Sequence, residues 1–111
     1  MGLLDFGDRA MIQTLAFRVG SGMLQMRDEM NRSTLNLSEI RSLAYAVCEE
    51  MKKMMTLANS LSQSSRNSLK IDYKGSKIFY DEFISSVIMK FQSDLMSKTQ
   101  IDFYSYLKLV H

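Results

Sequence analysis

The chain has 111 residues, 46% of them hydrophobic and 23% charged, with a net charge of +2. That is the size of one compact domain with a modest core, and the balance excludes a disordered or strongly polyionic chain. One cysteine and one histidine exclude a disulfide framework and a zinc cluster.

No apolar run approaches the roughly 20 residues that cross a bilayer. The opening "MGLLDFGDRA" places Asp5 and Asp8 where a secretory leader is basic and then apolar. Phe6 stands where a myristoylation signal at Gly2 would need Ser or Thr. A cytoplasmic protein is the expectation, with Cys48 a buried thiol that packs as a small hydrophobe.

Taken along the chain, Met11, Leu15, Val19, Met23, Met26 and Met30 recur at steps of three and four, which predicts an amphipathic helix between Asp8 and Asn31. Gly20 and Gly22 within it mark either a bend or a close backbone approach. A second helix is announced by Asn36 as N-cap, Glu39 three residues on as a capping box, and a Leu35–Ile40 staple. Its stripe is Leu37, Ile40, Ala44, Val47, Met51, Met54, Ala58 and Leu61. A break falls near Asn59, where Ser60 and Gln63 are placed to cap another helix.

Phe79, Phe83, Val87, Phe91 and Leu95 succeed one another at four-residue intervals and predict a third amphipathic helix. A short fourth helix is expected over 100–110.

Charge is uneven. Residues 52–77 hold six basic side chains, Lys52, Lys53, Arg66, Lys70, Lys74 and Lys77, against Asp72 alone, so a small basic helical nucleic-acid binder is one alternative reading. Catalytic patterns are missing: His111 is the last residue, Glu49 and Glu50 are sequence neighbours that point apart on a helix, and no Gly-rich phosphate loop precedes a helix. The protein is therefore read as no enzyme.

One pattern occurs twice. Leu35 is followed four residues later by Glu39 and then Ile40, and Ile78 by Glu82 and then Phe83, after "NRST" and "YKGSK" respectively. This resembles the EF-hand calcium loop, with its aliphatic eighth position and closing bidentate glutamate. Carried over, the resemblance makes Asp28 the opening ligand, Thr34 a carbonyl donor, Asn36 the ninth position and Glu39 and Glu82 the closing carboxylates. Met30, Arg32, Ile71, Tyr73 and Gly75 then occupy ligand positions, so calcium binding is expected to be weak or lost and no cofactor is required. The cadence "KIFYDEFISSVIMKF" is similar to the first lobe of the calmodulin-like regulatory domain of calcium-dependent protein kinases.

The resemblance implies an all-α fold of paired helix-loop-helix units, one over about 8–58 and one over about 59–97, with Leu35 and Ile78 joined in a short two-stranded bridge. It implies a non-catalytic regulatory or adaptor module that grips an amphipathic helix of a partner, or of a neighbouring kinase domain, in an apolar groove. Flexible methionines suit such a groove. Its expected lining is Met23, Met26, Met30, Met51, Met54, Met55, Phe83 and Phe91. A calcium sensor with one working loop is the other alternative.

Overall fold

The computed structural model describes the backbone of residues 3–109 and the side chains of residues 6–109. The chain is mostly helical: α1 (Leu3–Met30), α2 (Leu37–Ser60) and α3 (Gln63–Asn67) precede a hairpin of β1 (Lys70–Tyr73) and β2 (Ser76–Phe79). One further helical rod comes after it, made of α4 (Tyr80–Glu82), a π turn (Phe83–Ile88) and α5 (Met89–Thr99), and a 3-10 helix (Phe103–Lys108) comes last. Helix α1 runs through both Gly20 and Gly22 without a break. They are places of close approach. A methyl group at Gly22 would run into Val47 Cγ2, and one at Gly20 would sit 3.0 Å from Tyr73 Cδ1.

The N-cap of α2 is the residue that the sequence announces. Asn36 is extended and its side chain accepts from Glu39 N at 3.1 Å, which satisfies one of the orphan amides of the first turn. Ile40, Ala44, Val47, Met51, Met54 and Ala58 form the buried stripe, joined by Cys48. Leu35, by contrast, is 42% exposed. The break comes at Ser60, but Ser62 rather than Ser60 caps α3, accepting from Ser65 N at 3.2 Å. In α1 the buried face is Ile12, Leu15, Ala16, Val19, Met23, Met26 and Met30, so Met11, expected inside, gives way to Ile12.

The sheet corrects the expected bridge. Ile78 pairs with Ile71 inside a local antiparallel hairpin, in the register Tyr73↔Ser76 across a two-residue turn, and Leu35 belongs to no strand. Lys74 and Gly75 both have positive φ, +52° and +78°. Such a turn matches the twist of the strands it joins, and a lysine–glycine pair can make it because the second position costs glycine nothing. Tyr80 N donates to Leu69 O at 2.8 Å and closes the base of the hairpin.

The rod after the hairpin departs from a plain α-helix. Its inward residues are Tyr80, Phe83, Ile88, Phe91 and Leu95, whereas Phe79 is 45% exposed and Val87 only half-buried. The step from Phe83 to Ile88 is five residues, which the wider π turn accommodates.

Helices α1 and α2 pack side by side as one layer. The hairpin and α5 lie against α1, and the 3-10 helix lies against α2. One core cluster takes residues from every layer, from Ile12 to Phe103. Polar ties fix the edges. Arg9 donates to the Ser65 carbonyl and, at 3.2 Å, to Ser68 Oγ; Gln13 Nε2 donates to Lys70 O at 2.9 Å. At the other end Arg27 pairs with Asp94 at 3.2 Å and stacks over Phe91. Gln92 pins the 3-10 helix, its Oε1 accepting from Phe103 N at 2.8 Å and its Nε2 donating to Asp102 at 3.0 Å.

Candidate functional site

The residues expected to ligate calcium do not come together. Asp28 and Met30 lie inside the last turn of α1, so the chain has not yet left the helix where a loop should begin to turn its oxygens inward. Asn36 spends its side-chain oxygen on the cap of α2. Arg32 pairs with Glu29 at 3.1 Å. Glu82 sits on α4, and Asp94, which meets α1 at Arg27, is twelve residues further along the same rod; that separation is about 18 Å at helical rise. Thr34 and Glu39 stay exposed on and after the link between α1 and α2. Among the described residues no group of three or more His, Cys, Asp or Glu can hold a metal ion. The donor set does not fit calcium, which needs six or more oxygens around one point.

The expected methionine groove is likewise corrected. Met23, Met26, Met30, Met51 and Met54 are at most 5% exposed, and Phe83 and Phe91 at most 1%; only Met55 is half-buried. They fill the interior between the two layers, where an unbranched thioether adapts to irregular gaps. The basic residues are dispersed too. Lys52 and Lys53 lie on α2 and Arg66 on α3. On the hairpin, Lys77 pairs with Asp72 at 3.0 Å, Lys70 stands over the Phe79 ring and Lys74 over the Tyr73 ring. His111, Gly2 and the end of the expected C-terminal helix at Val110 lie outside the described residues.

Cys48 is a free, buried thiol. Burial pushes its thiol from 9.0 up to about 12, and its Sγ donates to Phe103 O at 3.3 Å; a thiol held protonated neither attacks nor ligates.

What the fold leaves open is the outer face of α1 and α2, bordered on one side by the tip of the hairpin. Helix α1 carries large apolar side chains off its core stripe as well: Phe6, Met11 and Phe17 are 69%, 50% and 63% exposed, among the exposed polar Gln13, Thr14, Arg18 and Ser21. Large apolar side chains gathered on an exposed face mark a surface that meets a partner. Along the seam with α2 runs an open groove of about 500 Å³ floored by Met11, Leu15 and Leu57 and edged by Lys53. It continues into a second depression of about 320 Å³ bordered by Phe17, Leu43, Ala46 and Val47. Phe17 also edges two further hollows, one towards the hairpin tip and one towards Gln13.

Arg18 and Glu50 stand where the two depressions meet, their charged groups 3.7 Å apart. That distance is too long for a hydrogen bond. Glu50 Oε2 is hidden from solvent and is the one buried side-chain oxygen among the described residues with no hydrogen-bond donor. Buried polar atoms are almost always satisfied, and here the Arg18 guanidinium faces the oxygen as an ion pair rather than as a hydrogen-bond donor.

Sequence reasoning missed Phe17 and set Met11 in the core stripe, where Ile12 is buried instead. The available signal for Phe17 was a large apolar residue that falls off the stripe of α1. Comparison with known proteins finds no match: no family model fits the chain, and no curated protein or solved structure is significantly similar to it. Among the described residues no helix is long and apolar enough to cross a membrane.

Proposed function

We propose that the protein is a non-catalytic interaction module that seats an amphipathic helix on the outer face of α1 and α2. The observation that carries this reading is the exposed Phe17, a large apolar side chain standing at the border of three hollows on a helix that already has a buried face. Exposed aromatic side chains beside preformed pockets are the usual anchors of helix-in-groove recognition. The seam supplies an apolar floor, and Arg18, Lys52, Lys53, Glu49 and Glu50 supply a polar edge that fixes orientation.

This reading keeps the adaptor role expected from the sequence and moves its groove from the methionines to the seam. A regulatory segment beside a kinase domain is one case of such a helix. Calcium has no part in it. Kinship with the EF-hand pair has only the cadence of Leu35, Glu39 and Ile40 and of Ile78, Glu82 and Phe83 in its support, and the proposal does not depend on it.

The test is fluorescence anisotropy of labelled amphipathic helical peptides with dilute protein, with and without calcium. Binding that Phe17→Glu abolishes at unchanged melting temperature, equally in calcium and in chelator, is the expected result. No binding by any peptide, or binding indifferent to Phe17, would count against it.

A further inference from the structure

The width and the charge of the seam say more about its occupant. Helix α2 has 24 residues and α1 has 28; at 1.5 Å per residue and roughly 10 Å per helix their common outer face is about 36 Å by 20 Å, or on the order of 700 Å². A lone helix covers about half of that width. A second pair of antiparallel helices of the same length covers all of it, and two such faces together reach the area of a standard stable interface, about 1,600 ± 400 Å².

Charge points the same way. The polar edge carries both signs close together: Arg18, Lys52 and Lys53 beside Glu49 and Glu50. A partner helix of one sign would leave two or three of these five opposed by like charge. A surface that mixes the signs as this one does can complement itself under a two-fold axis, where cations of one copy meet the anions of the other. The apolar elements are self-matching too, since Phe17 projects and the hollows beside it recede.

We infer that the occupant of this face is a second copy of the same chain, the two α1/α2 pairs packing face to face as a four-helix layer inside a homodimer. This rests on the reading of the face as a helix-docking surface and names its partner. Two antiparallel pairs facing one another are a common way to bury an apolar helical face. In the dimer the Arg18–Glu50 contact is shielded from water, where its attraction is stronger.

Sedimentation equilibrium of the whole chain across low to high micromolar concentration tests the inference, run beside the dilute peptide titration. The expected result is a monomer–dimer equilibrium that Phe17→Glu and Met11→Glu each weaken by about tenfold or more. Ser85→Glu, a change at an exposed position on the π turn, leaves it unaltered. Both seam variants should keep the wild-type far-ultraviolet circular dichroism, because the replaced side chains are exposed. Peptide binding at high dilution that weakens as the chain dimerises would support both readings. A chain monomeric throughout that still binds peptide through Phe17 overturns the dimer and leaves the docking surface standing. A monomer that binds no peptide overturns both. A dimer indifferent to Phe17→Glu and Met11→Glu uses another face and also overturns the inference.

Discussion

Gly22 lies against Val47 where α1 packs on α2, with no room between them for a methyl group. In an isolated helix Gly22→Ala would gain about 1 kcal/mol from propensity. Here the neighbour is the branched Val47 side chain, itself 5% exposed and held by the core, and overpacking of this kind typically costs about 1–3 kcal/mol. Chemical denaturation should show Gly22→Ala less stable than wild type, and Val47→Ala in the same chain should recover part of the loss. An unchanged or raised stability would mean that the two helices slide apart without cost.

The hairpin turn separates its two residues. Gly75→Ala forces a Cβ into the left-handed region at φ +78° and should cost about 1–2 kcal/mol. Lys74 already sits there at φ +52°, so Lys74→Asn, which tolerates that region, should raise the melting temperature. In the strands, Ile71 is 1% exposed while Ile78 is only half-buried. Ile71→Asp should therefore unfold the chain at a lower denaturant concentration than Ile78→Asp, and Lys74→Ala should do neither.

Stability should fall on the alkaline side. Cys48 is raised from 9.0 to about 12 by burial, and Tyr80 from 10.0 to about 12 by burial and the Asp81 charge, with Arg66 opposing. The unfolded chain gives up these protons near pH 9 and 10 while the folded chain holds them to about 12. Unfolding is then favoured as pH rises through that window, and the contribution of both groups is fully present below about pH 8. Thermal melts from about pH 7 to 11 should show the decline, and Cys48→Ala should reduce its lower part. Native Cys48 should react with a thiol reagent only as fast as the chain opens.

Asn36→Ala removes the side-chain acceptor of the Glu39 amide and should cost about 1 kcal/mol. Asn36→Ser should restore most of it. Millimolar calcium should leave the melting temperature of all these variants where it is.

Much of the helical layer was legible because its signals are local. Asn36, Glu39 and the stripe from Ile40 to Ala58 sit within one helix and depend on nothing distant. The hairpin was misread for a physical reason: the repeated aliphatic–glutamate cadence drew Ile78 towards Leu35, 43 residues away, while its true partner Ile71 is seven residues away across a lysine–glycine turn. Alternation in "KIDYKGSKIF" around that turn carries the short-range signal. The exposed face of α1 was not legible from periodicity, since Phe17 becomes informative only when the position of α2 is known. Methionines gave the opposite error, because a side chain that suits an adaptable groove suits a two-layer core equally well.

The five-residue step between Phe83 and Ile88 makes the rod behave as an α-helix into which one residue has been spliced. Residues on either side keep their own inward register only because the extra residue is absorbed between them, among the exposed Ser85 and Ser86. A chain shortened by one of these serines would close the turn to ordinary pitch with Phe83 and the residue that was Ile88 four apart, both still facing inward. At this one place the rod can change its length by a residue without turning its inward face.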